Sequence, residues 1–334
     1  MPLSARQKGV MAAVVTVAIW TSFIVIARAS ASHTLTPFDL ALCRIVGASM
    51  VLLPWGWWLT RGHRGDAGVS FGGFSPLPLR QTVQAGLFGG LLYAVLAYSG
   101  FFHAPAAHAS VLLPGSLPLW TALLAAVLLG ERITPARALG LACIVAGDLL
   151  VGGASLWGAF SGTGGTAWRG DLLFMAAASC WAVYGVLARK FGLDAVRATI
   201  GITVFAFCTY VPAFVLLTWL GVLPSRLASA PWGEIAFQTV YQGVGSVVVA
   251  GIAFTQMIRH FGPVKSTMLT ALVPGLSAMA AVPLLGEPLH WHLLAGLAMV
   301  TLGILFGVRA ARAKASAATP GTIAACGGVA RADG

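Results

Sequence analysis

The chain has 334 residues, of which 58% are hydrophobic and only 9% charged. A soluble domain carries about 25% charged residues, so this chain cannot cover a water-facing surface and belongs to the membrane class. Its net charge of +11, from 20 Lys and Arg against 9 Asp and Glu, then needs an explanation other than nucleic acid.

Uncharged apolar runs predict ten transmembrane helices, at 9–28, 37–59, 81–101, 104–129, 135–152, 170–188, 196–220, 233–258, 263–285 and 289–308. The first begins behind Arg6 and Lys8 and runs longer than the ~7–15 residues of a signal h-region, so it reads as a retained span. Ahead of the second, Thr36, Pro37 and Asp39 stand as N-cap, N1 and N3, close to a capping box. From Gln81 to Gly130 no residue is charged. As one helix that stretch would be about 75 Å long against a hydrocarbon core of about 30 Å, so it holds two spans, with HAPAAH (103–108) as the turn. The fifth span carries Asp148 near its outer end, and the Gly-, Ser- and Thr-rich residues 153–169 read as a linker. Beyond residue 308 an Ala- and Gly-rich tail, 309–334, is expected to be disordered.

Counting Lys and Arg on alternate sides gives sixteen on the side of both termini and three on the other, with Arg44 inside the second span. By the positive-inside rule both termini lie in the cytoplasm. The positive charge is then a set of loop anchors facing anionic lipid, with no nucleic-acid partner. Trp55, Trp57, Trp58, Trp168, Trp219, Trp232 and Trp291 stand near span ends as an interfacial belt. The five cysteines, Cys43, Cys143, Cys180, Cys208 and Cys326, have no CxxC spacing and indicate neither zinc nor a disulfide framework.

An internal repeat divides the chain. IWTSFIVIAR (19–28) and CWAVYGVLAR (180–189) both read Trp, seven residues, Arg, at a shift of 161. LLGERITP (128–135) and LLGEPLHW (284–291) repeat at a shift of 156, as do Gly140 and Gly147 with Gly296 and Gly303. Residues 1–152 and 170–308 thus form two units of five spans each. An odd span number inverts the second unit relative to the first, a common build for secondary transporters. The duplicated Trp near the end of span one, the LLGE closing span four and the GxxxxxxG of span five resemble EamA-type members of the drug/metabolite transporter superfamily over residues 9–308. That resemblance implies a multi-pass inner-membrane carrier, often an exporter of amino acids, related metabolites or drugs. It further implies a central cavity lined mainly by spans 1, 3, 4, 6, 8 and 9.

The expected fold is all-α, ten helices in two inverted repeats. The cavity candidates are aromatic and neutral-polar. Trp181 and Tyr184 share a face of span six, Trp20 is the repeat counterpart of Trp181, and span three offers Tyr93 and Tyr98. Span eight offers Gln238, Tyr241, Gln242, Ser246 and Gln256, with Gln238, Gln242 and Ser246 at four-residue spacing. Such a lining suits small amphipathic solutes, and its rings can also hold an ammonium. No cluster of Lys and Arg waits at membrane depth for a phosphate, which argues against nucleotide-sugar cargo. Arg44 and Lys265 read as interface anchors, Asp148 as structural, and His103 and His108 as ordinary residues of the outer turn. Glu131 and Glu287 of the LLGE motifs read as hairpin locks, each accepting from the free amides of the helix that follows it. Neither cofactor nor metal is expected, and HExxH, GxSxG and GxGD are absent, so an intramembrane enzyme is disfavoured. The sequence therefore points to a small-molecule exporter, of amino acids first and of drugs or nucleosides as the alternative.

Overall fold

A backbone crossing lipid must bond its own N–H and C=O groups, which only helices and closed barrels achieve. The computed structural model, which describes residues 4–63, 66–162 and 165–317, is helical throughout apart from one isolated bridge between Ser70 and Ser75 among the described residues. Nine helices are long and apolar enough to cross a bilayer: α1 (Arg6–Ser32), α2 (Pro37–Thr60), α3 (Leu79–Phe101), α4 (Ala106–Leu129), α5 (Pro135–Phe160), α6 (Ala167–Phe191), α7 (Ala195–Trp219), α8 (Trp232–Gly262) and α9 (Lys265–Leu285). The tenth, α10 (Trp291–Ala317), has a shorter apolar part, Trp291–Gly307.

The start signals act as their chemistry predicts. The Asp39 amide donates to Thr36 Oγ1 at 3.2 Å and the Thr36 amide to Asp39 Oδ2 at 2.9 Å, completing the capping box of α2. Thr134 caps α5 through the Arg137 amide, and Asp194 caps α7 through two amides. Both LLGE glycines end their helices in the left-handed region, Gly130 at φ +67° and Gly286 at φ +68°, where a side chain is strained.

Two boundaries differ from the sequence reading. α5 continues through the glycines at 152, 153 and 158 to Phe160, so the helix absorbs the first half of the expected linker. That extension moves Asp148 from the end of the span to its middle. α10 likewise runs on to Ala317, while residues 318–334 of the expected tail lie outside the described residues.

The helices pack by exchange between the repeats. α1 lies on α8 and α9, and its counterpart α6 lies on α3 and α4. α2 packs on α8, and α7 on α3. α5 and α10 cross each other antiparallel. A Cβ on Gly140 would stand 2.8 Å from the Gly303 carbonyl oxygen, and one on Gly147 would stand 2.6 Å from that of Gly296. The two contacts map onto each other under the 156-residue shift, so a two-fold axis passes between these helices. The small residues let the backbones touch.

Candidate functional site

Mid-helix turns of π form mark the middle of three spans: Leu87–Leu92 in α3, Val111–Gly115 in α4 and Thr239–Val249 in α8. The α3 and α8 segments are equivalent under the repeat. Such turns cluster at functional sites because they re-aim side chains and loosen the ladder. Here the α8 segment and the turn before it turn Gln238, Gln242 and Ser246 into the bundle, where all three are buried.

These groups form a continuous hydrogen-bonded chain. Gln238 Nε2 donates to Ser30 Oγ of α1 at 2.8 Å, and Gln242 Nε2 donates to Gln238 Oε1 at 3.1 Å. Tyr98 of α3 donates its hydroxyl to Gln242 Oε1 at 3.0 Å. Ser246 Oγ donates to the Gln242 carbonyl at 2.7 Å and accepts from Arg44 Nη1 of α2 at 2.6 Å. The Arg44 guanidinium also lies over the Phe23 ring, 5.6 Å from its centroid, and Phe23 in turn meets Tyr98 edge-on. Arg44, which the sequence reading sent to the interface, instead turns inward among α1, α3 and α8.

The aromatic candidates separate into two clusters related by the repeat. Trp181 packs on Tyr93 at 4.8 Å between centroids and on Tyr184 at 5.3 Å. Trp20 packs on Phe254 at 5.1 Å. The 161-residue shift carries Trp20 to Trp181 and Tyr93 to Phe254, so each half lends its tryptophan to a ring of the other half. Tyr241 is tied to α1 through Ser22 and stacks on Phe237. Gln256 takes part in none of these contacts.

The same exchange sets the charged groups. Arg28 Nε pairs with Glu287 Oε1 at 2.8 Å, and Arg28 Nη1 donates to the Phe101 carbonyl at 2.8 Å. Glu287 Oε2 accepts from the Ala106 amide, the first of α4, at 2.7 Å. At the opposite face Arg189, the repeat counterpart of Arg28, pairs with Glu131, which also meets Arg137 at 3.5 Å. Partial burial works against the Glu131 carboxylate, but the Arg189 and Arg137 guanidiniums outweigh it and hold its pKa below the usual carboxylate range. The hairpin-lock reading of the two glutamates is therefore corrected. Glu287 caps α4 rather than α10, since that helix start presents free amides with positive dipole to it. Glu131 meets Arg137 at the start of α5 by charge, while Thr134 does the capping. The Trp-x7-Arg repeat held the missing signal: its arginines are the partners of the duplicated glutamates.

Two further polar groups are buried. His108 Nδ1 and Asp171 Oδ1 are 2.8 Å apart, and Ser155 donates to Asp171 Oδ2, so α4, α5 and α6 are joined where the sequence reading saw only turn residues. Both Asp148 oxygens are buried without a protein partner. At the face that carries the N-terminus, Arg6, His260, Phe261, Lys265, Met268 and Leu269 line a recess of about 700 Å³ between α1, α8 and α9.

A model of the EamA-like transporter family matches residues 7–153 and 168–309. Over 321 residues the chain is 29% identical to the "Probable terminal-alkyne amino-acid exporter" of Streptantibioticus cattleyicolor, covering 94% of this chain and 98% of that one. It is 29% identical over 251 residues to the "Aromatic amino acid exporter YddG" of Ancylobacter novellus, covering 71% and 74%. A third relative, the "Uncharacterized transporter YyaM" of Bacillus subtilis, is 28% identical over 58% of this chain, and the match spans 62% of that relative's length. One crystal structure superposes with a TM-score of 0.57 over 91% of this chain and 97% of its own at 22% identity, a likeness of fold alone.

Proposed function

The chain belongs to the EamA-like transporter family, and on that premise we propose that it exports amino acids or similar small amphipathic metabolites by alternating access across the inner membrane, with both termini cytoplasmic. The observation that carries this reading is the pair of exchanged aromatic contacts, Trp181 on Tyr93 and Trp20 on Phe254, beside the polar chain of α8. Substrate sites of inverted-repeat carriers lie near the midplane where the halves meet, and these four rings stand near the middles of α1, α3, α6 and α8. Ring faces accept the apolar part of a solute while Tyr98, Gln238 and Gln242 supply hydrogen bonds that orient it. The names of two relatives, both amino-acid exporters, support the choice of cargo.

The charged pairs support the mode of movement. Arg28 and Glu287 tie α1 to the end of α9 at one face, whereas the recess lies between the same two helices at the other. A conformer closed at one side and parted at the other is what alternating access requires. Under the positive-inside orientation the parted side is cytoplasmic, the loading side of an exporter.

The test is counterflow in proteoliposomes. Labelled aromatic and aliphatic amino acids are offered beside cationic drugs and nucleosides. Accumulation of at least one amino acid, saturable and absent from empty liposomes, is expected. Well-folded protein that moves none of the three classes would refute a carrier, and flux of drugs or nucleosides alone would refute the amino-acid assignment.

A further inference from the structure

We propose that Arg44 is the anchor for a carboxylate on the transported solute, which assigns the site to monocarboxylates bearing an apolar or aromatic body; this rests on the export reading above for the identity of the cargo. Arg44 lies seven residues beyond the start of α2, about 10 Å into the span at 1.5 Å per residue. A charge at that depth faces the bundle interior and serves a pathway or a ligand as a rule. Long basic side chains near a span end can instead reach back to the interface. Arg44 does not, because its Nη1 is 2.6 Å from Ser246 Oγ on α8 and its guanidinium covers the Phe23 ring of α1.

No carboxylate of the protein neutralises it among the described residues. Glu287 is held by Arg28, Glu131 by Arg189 and Asp171 by His108. Asp39 is committed to Thr36, Ser225 and the Arg226 amide, and Glu234 accepts from the Leu35 amide. Asp148 pairs with nothing, and Asp194 caps its own helix. A guanidinium has five N–H donors in a planar fork that fits a carboxylate with two parallel bonds. Ser246 takes one of them. The charge of Arg44 reaches both Tyr93 and Tyr98, so it faces the same interior as the Tyr93–Trp181–Tyr184 cluster. A solute whose carboxylate meets Arg44 therefore lays its body against those rings. The structure thereby supplies an attraction for acids and none for the corresponding amines or esters.

Two readouts test this. In detergent, ligand-dependent thermal stabilisation is measured with phenylalanine, its methyl ester and phenethylamine; in proteoliposomes, the ester and amine compete with labelled phenylalanine for counterflow. The wild-type protein is expected to favour the acid by at least about tenfold, since a charge-assisted bidentate pair distinguishes them. Arg44→Gln is expected to abolish that preference. An undiminished preference in Arg44→Gln would overturn the proposal, as would equal recognition of acid and ester by the wild type. Acid-specific stabilisation that Arg44→Gln removes, without any flux, would uphold the anion site and sink the export reading instead. Should Arg44→Gln fail to fold, Arg44→Lys carries the test: it keeps the charge and loses the fork, and is expected to bind the acid about tenfold more weakly with the ester unchanged. Unchanged acid affinity in Arg44→Lys would then count against the assignment.

Discussion

At the residue scale, the site depends on a few side chains whose neighbours come from the other repeat. Trp181 is wedged between Tyr93 and Tyr184, on two different helices. We expect Trp181→Ala to reduce counterflow at least about tenfold, the scale of losing a main ring contact of 1.4 kcal/mol or more, while the melting temperature changes by only a few degrees. Normal flux would remove the residue from the site. Asp148 poses the opposite case. A buried carboxylate with no partner is a cost to the fold, so Asp148→Leu, of similar volume, is expected to stabilise the protein by about 1–3 kcal/mol. A fall in melting temperature would mean that the carboxyl has a partner in the working protein. The ring-bearing and amide residues were legible in the sequence because membrane spans rarely carry them without reason. The inward turn of Arg44 was not: depth alone leaves an arginine free to snorkel, and only the position of Ser246, 202 residues later, decides it.

At the element scale, the duplicated LLGE and Trp-x7-Arg motifs were visible as landmarks, but not as partners. Local reasoning looks for the carboxylate's neighbour in the same hairpin, whereas Arg28 meets Glu287 at a separation of 259 residues. Glu287 is 13% exposed and Arg28 30%, so removing one partner strands a partly buried charge. Glu287→Gln is expected to cost about 1–3 kcal/mol of stability, discounted for that exposure. The charge reversal Arg28→Glu with Glu287→Arg should restore only part, because the Ala106 amide then faces a cation. Full restoration in a thermal melt would show that the amide contributes nothing. At the other face, the pKa of Glu131 is depressed in the folded chain. Its contribution is therefore fully present above the ordinary carboxylate pKa of about 4.3 and is lost only as pH falls through the lower folded value. Thiol labelling of an Arg189→Cys reporter's neighbour, such as Leu193→Cys in an Arg189 background, should stay constant from about pH 8 to 5 and rise only in stronger acid. A rise near neutrality would contradict the pairing. The α5–α10 crossing offers a packing test as well. Gly147→Leu must displace the Gly296 backbone, and a loss of about 1–3 kcal/mol or more is expected from such overpacking. Gly152, with nothing near its Cβ position, serves as the control.

At the scale of the whole molecule, two units of odd span number already implied inversion, and the family model matches the chain in two segments accordingly. What the repeat did not reveal is that its contacts are traded: tryptophan, arginine and glutamate each meet the other half. Nor did it reveal that α5 runs through a glycine-rich stretch, which a bilayer favours because a helix satisfies the backbone that a loop would leave bare. Traded contacts at two faces make one half's tilt break the pairs at one side while sparing those at the other. The measurement that tests this most directly joins Arg28→Cys to Glu287→Cys in a background without other cysteines, using a short, reductant-cleavable bis-thiol reagent. With the link in place amino-acid counterflow should cease, and reduction should restore it. Full counterflow through linked protein would contradict alternating access by this bundle.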